Sequence, residues 1–530
     1  MSEIKIYPLG ESFEYEAGKS LLEILLEKDY FVDNPCNGKG VCGKCRVNIR
    51  KGEVSAPCET EKKLLSEAEL DEGIRLSCLV KPTDDLEIEL LQKVRKHKVL
   101  TSGYLPEFEL DKKEQYGVAI DIGTTTVVCA LVDMSTGKEI ANASQINEQK
   151  HFGLDVLTRI TYEIEHGQDG VEKLQKAIVD SLNEMIGEMC ECAQISRSEI
   201  KEITVAANCT MLHMLLGVDA TSLGRAPYKP VFVEAKEVQA KEIGILAAED
   251  AVLYCLPSVS AYIGADIVAG AYVCDLQNQK GNVLFVDIGT NGEIVLSKDG
   301  QLLCCSCAAG PALEGMNITC GMRAAEGAIE DVRITENGVE VKVIGETAPA
   351  GLCGSGILAA IKELLRVGLV RKEGAFIKKE KLAETDYRYD LLRLNGKKRE
   401  FVLGEELIIT QGDVRQVQLA KGAILSGFTA LLEKAGLQME ELDKVLIAGQ
   451  FGAHLPVESL TGLGILPMEV KDKIAYVGNS SKTGAYMALM SQRERLGMEE
   501  LAGHMEYMEL AETKGYERLF AECLIFPERT

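Results

Sequence analysis

The sequence predicts a multidomain chain of α+β and α/β type, with a small cysteine-bearing unit first and a larger two-lobed α/β unit after it. Three observations carry that expectation. Cys36, Cys42 and Cys45 lie in a Gly-rich loop with the spacing C-x5-C-x2-C, and Cys78 follows after 32 further residues. The run Asp121-Ile122-Gly123-Thr124-Thr125 is echoed 166 residues later at Asp287-Ile288-Gly289-Thr290-Asn291, each between two apolar strand-like runs. A long amphipathic helix then leads into a strand that ends Gly449-Gln450-Phe451-Gly452. These features divide the chain into residues 1–92, a linker at 93–115, a first lobe at 116–280 and a second lobe with a C-terminal segment at 281–530.

In the first unit, Ile4–Tyr7 and Phe13–Tyr15 alternate apolar and polar residues around Gly10 and read as a hairpin. Ser20 caps a helical run, Leu21–Lys28. The Cys loop follows, then strand-like Arg46–Ile49, and Leu76–Leu79 leads into a further strand at Leu86–Leu90. Three thiolates on one loop can wrap a small cluster if glycines supply positive φ and turn N–H groups toward its sulfurs. A fourth thiolate from a distant strand closes the site, and four thiolates are what a [2Fe–2S] centre requires. Structural zinc also takes four thiolates, but its sites usually bring two C-x2-C pairs, and only one is present.

Residues 93–115 read as a tether, with a basic stretch at Lys93–Lys98 that is either a solvated segment or an electrostatic contact with the acidic body of the chain. In each D-x-G-T turn of the large unit, glycine lets the backbone approach a phosphate. Backbone N–H groups and the Thr124, Thr125 and Thr290 hydroxyls, with Asn291 and Gly292 beside them, then donate to its oxygens. Asp121 and Asp287 order Mg²⁺, mostly through water. Two such turns across a cleft grip a triphosphate from both sides. Glu293 follows the second turn and either orients water for hydrolysis or bonds within the turn. The helix expected at Asp413–Ala435 carries apolar residues at Val414, Val417, Ala420, Ile424, Phe428 and Leu431.

Composition narrows the function class. The net charge of −24 and pI near 4.9 disfavour nucleic acid and anionic membrane as partners. No run of 18 apolar residues occurs, and the start lacks the order of a signal peptide, so the expected location is cytoplasmic. Seventeen cysteines, an odd number, argue against a disulfide framework.

The hairpin–helix–Cys-loop–strand order resembles the β-grasp [2Fe–2S] ferredoxins, closer to the adrenodoxin type than to the plant type. That resemblance favours Cys78 over Cys58 as the fourth ligand, because the Cys45-to-Cys78 gap is nearer the family's length. The paired turns and the Gly449-x-x-Gly452 strand resemble the acetate and sugar kinase/Hsp70/actin superfamily, in which such glycines approach adenosine; this implies ATP and two ribonuclease H-like lobes. Further stretches resemble one family, the reductive activators of corrinoid enzymes. They are Phe152–Val156 with Arg159-Ile160, Ala207–His213, Pro257–Asp266, Ala308–Gly315, Leu352–Gly356 and Gly478–Ser481. The resemblance places Gly310, Gly354 and Ser355 among the nucleotide-binding residues. It implies an ATP-dependent, one-electron reduction of Co(II) to Co(I) on a corrinoid protein of a methyltransferase system. An electron-donating reductase and a homodimer are implied with it.

The remaining candidates divide simply. Cys304, Cys305 and Cys307 fall in a strand-like run and read as buried or cleft-lining thiols rather than a second metal site. His213, between Leu212 and Met214, reads as a core histidine rather than a corrinoid contact, and His151 carries no motif. The rival functions are a small-molecule kinase with a redox-sensing domain, an activator of a radical dehydratase, and a non-catalytic scaffold. The first needs an acceptor pocket and a catalytic base that no motif names. The second typically holds a [4Fe–4S] cluster without an N-terminal ferredoxin.

Overall fold

A computed structural model describes residues 2–7, 11–15, 18–28, 30, 32, 40, 45–90, 104–153, 155–396, 398–404, 407–449 and 455–528. The chain divides into two compact units, Met1–Phe108 and Glu109–Thr530.

In the first unit, β1 (Ser2–Tyr7) and β2 (Glu11–Tyr15) pair antiparallel with Ile4 opposite Phe13. Helix α1 (Leu21–Glu27) starts where expected, with Ser20 and Glu23 closing a reciprocal cap. Then come β3 (Arg46–Lys51), the short helices α2 (Glu59–Leu64) and α3 (Glu67–Asp71), β4 (Ile74–Leu76) and β5 (Leu86–Leu90). Among the described residues the strands form one mixed sheet, β2-β1-β5-β3-β4. Its apolar face (Ile4, Ile6, Val47, Leu86, Ile88) buries Leu21, Ile24 and Leu25 of α1. This is the expected β-grasp arrangement.

The second unit holds two related sheets. In the first, β6 (Tyr116–Ile122), β7 (Thr126–Asp133) and β8 (Lys138–Ile146) form an antiparallel meander, flanked by α4 (Val156–His166) and α5 (Gln168–Ala193). β9 (Ile200–Ala207) adds parallel to β6 and leads into α6 (Cys209–Leu215). β10 (Lys236–Gln239) and β11 (Val252–Cys255) complete the order β10-β11-β9-β6-β7-β8, and α7 (Ala265–Val273) follows. In the second sheet, β12 (Asn282–Ile288), β13 (Gly292–Lys298) and β14 (Gln301–Cys307) repeat the meander.

After an intervening three-stranded sheet come α8 (Gly354–Arg366) and α9 (Gln411–Ala435). β15 (Lys444–Ala448) then adds parallel to β12, and β16 (Ile474–Gly478) parallel to β15. The sequence echo is therefore a structural duplication. Each D-x-G-T turn joins the first two strands of a meander whose first strand also pairs with a parallel partner.

Helix α9 begins two residues before the expected Asp413, because Thr410 caps it and Asp413 bonds back to Thr410. All six apolar positions expected on its buried face are fully buried. Helix α10 (Ser480–Met490) falls in the range expected for the second lobe, yet it packs on α7, β6 and β9 of the first sheet. Its Ala485 carbonyl accepts from the Thr204 hydroxyl, and Lys482 forms a buried ion pair with Glu139 of β8 at 2.9 Å. The last residues of the expected linker also lie on this unit, Asp111 N–H donating to the Met490 carbonyl. The basic stretch Lys93–Lys98 lies outside the described residues.

One buried ion pair braces the strand that delivers Cys78. Arg75 donates through Nε and Nη2 to Glu61 at 3.0 and 2.8 Å, and the Leu76 N–H donates to the same carboxylate. Glu61→Ala is expected to leave a buried guanidinium unpaired and to cost the first unit about 3–5 kcal/mol. Urea unfolding of the whole chain should show an early transition moved to lower denaturant, with the nucleotide-binding unit unchanged.

Candidate functional site: a paired-thiol site and an acid-lined phosphate cleft

Cys45 and Cys78 meet in the first unit with their sulfurs 3.3 Å apart. That separation is too long for a disulfide and suits two thiolates on one iron. The Ser77 N–H donates to the Cys45 carbonyl, and α1 donates its first N–H groups to the carbonyls of Val80 and Ser77. Gly40 takes φ +72, and a Cβ there would stand 2.9 Å from the Leu79 side chain. The loop glycine thus lies against the neighbour of Cys78, as a cluster-wrapping loop requires. Cys36 and Cys42 lie outside the described residues. Cys58 is exposed, at the cap of α2. The Cys45–Cys78 pair fits two of the four ligands of a thiolate-held cluster.

In the second unit the first phosphate turn is held from three sides. Gly123 approaches Thr126 so closely that a Cβ would stand 2.7 Å from its carbonyl oxygen. Asn147 donates through Nδ2 to the Gly123 carbonyl and through its N–H to that of Thr125. Arg159 donates to the Thr124 carbonyl at 2.6 Å, and Asn208, the cap of α6, donates to the Thr124 hydroxyl. Arg159 is buried behind the turn, where burial pulls its pKa down to about 10. Two of the stretches that carry the family resemblance, those of Arg159 and Asn208, thus help to frame this turn.

Asp121 is clasped from the far end of the chain. Asn479, the cap of α10, donates to Oδ2 at 2.8 Å, and Ser481 donates to Oδ1 at 2.7 Å. In the second turn the Gly289 N–H donates to the Asn291 carbonyl, and Thr290 donates to Glu314 at 2.8 Å. Gly449 takes φ +90, and a Cβ there would fall 2.6 Å from Asp287 Oδ1. Gly310 takes φ +74 with open space around it. Gly292 packs against Cys307, and Gly452 lies outside the described residues. Gly354 sits where a Cβ would fall 1.9 Å from the Leu313 carbonyl, and the Ser355 hydroxyl bonds the Cys353 sulfur at 3.3 Å. Of these two residues, Gly354 braces the turn before Glu314.

Four carboxylates share the floor of the cleft. Burial raises Asp121. Burial, then Asp287 and Asp121, raises Asp266 to about 8. Burial, then Asp121, raises Asp287 to about 7, and burial, then Asp266 and Asp287, raises Glu293 well above its usual range. The Ser306 hydroxyl donates to Glu293 at 3.4 Å, and Asn291 also bonds it. Among the described residues no three side chains converge tightly enough to ligate an ion directly. Repelling acids set slightly apart fit a hydrated cation.

The thiols of β14 and His213 lie in the core. Cys305 and Cys307 donate to the carbonyls of Gly427 and Gly292, and burial raises all three thiols of that strand. His213 is fully buried, its Nδ1–H donating to the Cys209 carbonyl and its Nε2 accepting from the Val231 N–H. His151 pairs with Glu148 at the surface. The reading from sequence missed Asn147 and gave no individual role to Asp266, Glu314, Asn479 or Ser481. Their signal, short polar residues at helix caps, is too common to single them out.

Comparison with known proteins agrees with this geometry. Residues 281–530 match the C-terminal domain of RACo, the ASKHA domain; residues 116–279 match the RACo middle region; residues 4–83 match the 2Fe-2S iron-sulfur cluster binding domain. The corrinoid activation enzyme RamQ of Eubacterium limosum is 32% identical over 528 residues, spanning 87% of this chain and 88% of that one. The [Co(II) methylated amine-specific corrinoid protein] reductase of Methanosarcina barkeri is 26% identical over 397 residues, 69% of this chain and 68% of that one. A solved reductive activator for corrinoid, iron-sulfur protein superposes with a TM-score of 0.73 at 29% identity, covering 100% of this chain and 99% of that one.

The acid floor predicts a pH response. Asp287 and Asp266 keep their protons to about 7 and about 8 when folded, against an ordinary 3.8. The folded chain therefore binds more protons in that window, and stability falls as pH rises through it. The chain should melt lower at about pH 8 than at about pH 6, and Mg²⁺ should raise melting more at the higher pH. An equal Mg²⁺ effect at both values would show that these acids do not face a shared ion.

Proposed function

Because this chain belongs to the family of reductive activators of corrinoid proteins, we propose a division of labour for its residues in the ATP-dependent reduction of a corrinoid protein from Co(II) to Co(I). The observation that carries the reading is the presence, in one chain, of the Cys45–Cys78 sulfur pair and a cleft framed by two duplicated phosphate turns. A kinase has no use for the first, and the spacing of its cysteines sets the chain apart from [4Fe–4S] dehydratase activators.

Cys36, Cys42, Cys45 and Cys78 hold the [2Fe–2S] cluster, which supplies one-electron transfer. Thr124 and Thr125, together with the backbone N–H groups of Thr290 and Asn291, donate to the phosphates of ATP. Gly123 and Gly289 let the turns come close, while Gly310, Gly449 and Gly452 line the nucleoside side. Asp121 and Asp287, with Asp266 and Glu293 alongside, hold the water shell of Mg²⁺, which neutralises phosphate charge. Glu293 orients a water of that shell through its own bonds to Ser306 and Asn291. A separate reductase loads the cluster, and the protein works as a cytoplasmic homodimer. The support for those three points is the family resemblance, together with a thiol-rich composition suited to a reducing compartment. Among the described residues no helix is long and apolar enough to cross a membrane.

For one electron, each ~60 mV of deficit costs about 1.4 kcal/mol. ATP can offset such a deficit only if the nucleotide-bound state binds the corrinoid partner differently from the nucleotide-free state. A cleft between two lobes provides that state dependence.

The test is spectroscopic. The anaerobic protein, a reductant and a Co(II) corrinoid protein are expected to develop the Co(I) band with Mg-ATP and not without it. Cys45→Ser should abolish the band while leaving ATP hydrolysis within about threefold of the parent. ATP consumption with no cobalt change for any candidate partner would sink the reading.

A further inference from the structure

Glu314 stands between the two phosphate turns. It ends the short turn Pro311–Glu314 after β14 and is only 4% exposed. Its Oε1 accepts from the Thr290 hydroxyl at 2.8 Å, and the Thr125 hydroxyl of the other lobe also faces the carboxylate. Its Oε2 is buried and has no hydrogen-bond partner among the described residues. The backbone that carries it is fixed from behind, since α8 presses Gly354 against the Leu313 carbonyl.

Thr125 and Thr290 belong to the two turns that frame the terminal phosphate in the reading proposed above, with the hydroxyl proton of Thr290 already given to Glu314. A carboxylate within reach of both lies beside the γ-phosphoryl group. One oxygen anchored and the other free is the arrangement that aligns a water, because the anchor sets the direction in which the free oxygen accepts. The other acids of the cleft are committed. Asp121 gives both oxygens to Asn479 and Ser481, Glu293 is engaged by Ser306 and Asn291, and Asp266 and Asp287 belong to the acid floor.

We infer that Glu314 aligns the water that attacks the γ-phosphorus of ATP, a catalytic residue beyond those assigned above. In that step the water oxygen bonds to phosphorus, and the bond from phosphorus to the β–γ bridging oxygen breaks. The electron pair of that bond leaves with ADP. One water proton passes to Oε2 of Glu314, which returns it to the departing phosphate. The inference rests on the reading of the chain as an ATP-hydrolysing activator.

The test compares Glu314→Gln with the parent, both full length, in single-turnover Mg-ATP hydrolysis. Affinity for a non-hydrolysable ATP analogue is measured alongside. Gln keeps the size and the acceptor for Thr290 but cannot take a proton. Hydrolysis should fall about 10²–10⁴-fold while analogue affinity stays within about threefold. Hydrolysis within about threefold of the parent would overturn the inference, as would an affinity loss equal to the rate loss. If Glu314→Gln does not fold, Glu314→Asp, which draws the carboxylate back by one methylene, is judged by the same two criteria. A parent that does not hydrolyse Mg-ATP overturns the activator reading itself, which separates that failure from the failure of the Glu314 assignment.

Discussion

The nucleotide cleft depends on how Asp121 is held. Its carboxylate sits at the end of β6, buried among other acids, where a charge without partners would be expensive. Asn479 and Ser481 arrive from 358 and 360 residues away and give each oxygen a donor. Because those donors open α10, the same contact fixes where the chain returns from the second sheet to the first. Lys482 and Glu139 repeat the fastening one step further on, as a buried ion pair. The two lobes are thus joined at the very place where the triphosphate is to be gripped. A change in what Asp121 faces can therefore move the elements around it.

Electrostatics around that clasp are deliberately unbalanced. Burial raises Asp121, Asp266, Asp287 and Glu293, and beyond burial Asp121 raises Asp287, both raise Asp266, and Asp266 and Asp287 raise Glu293. Behind the first turn lies the opposite imbalance, Arg159, whose guanidinium binds carbonyl oxygens, the Gln149 amide and a Met sulfur rather than a carboxylate. In the proposed reading a hydrated cation and a polyphosphate would relieve both strains together, the ion meeting the acids and the phosphates meeting the turn that Arg159 backs. Nucleotide binding is then linked to the shape of the cleft, which is the coupling that an uphill electron transfer needs.

The first unit solves a different problem with similar means. Its cluster needs sulfurs from segments 33 residues apart to stay together. The β-grasp sheet does this by laying β4 against β3, while α1 anchors its first N–H groups on the carbonyls that flank Cys78. The buried Arg75–Glu61 pair then fixes the strand just before that cysteine. Rigid placement of the ligands leaves little to reorganise when an electron arrives or leaves.

Much of this was legible in the chain. The cysteine spacing, the duplicated D-x-G-T turns and the apolar face of α9 follow from local rules of turn chemistry and periodicity. The structure shows the duplicated turns and the buried face of α9, and of the four cysteines it describes Cys45 and Cys78, side by side. His213 and the thiols at Cys304, Cys305 and Cys307 were also rightly placed in the core, because apolar neighbours in sequence announce burial. The roles of Asn479, Ser481, Asp266 and Glu314 were not legible. Each is a short polar or acidic residue that becomes functional only when distant strands bring it to a carboxylate or a threonine. The sequence by itself determined the chemistry available, namely thiolates on a Gly-rich loop and phosphate-gripping turns in duplicate. Only the tertiary structure decided which acids face one another and which oxygen is left free, since hydrogen-bond partners hundreds of residues apart leave no periodic trace in a chain.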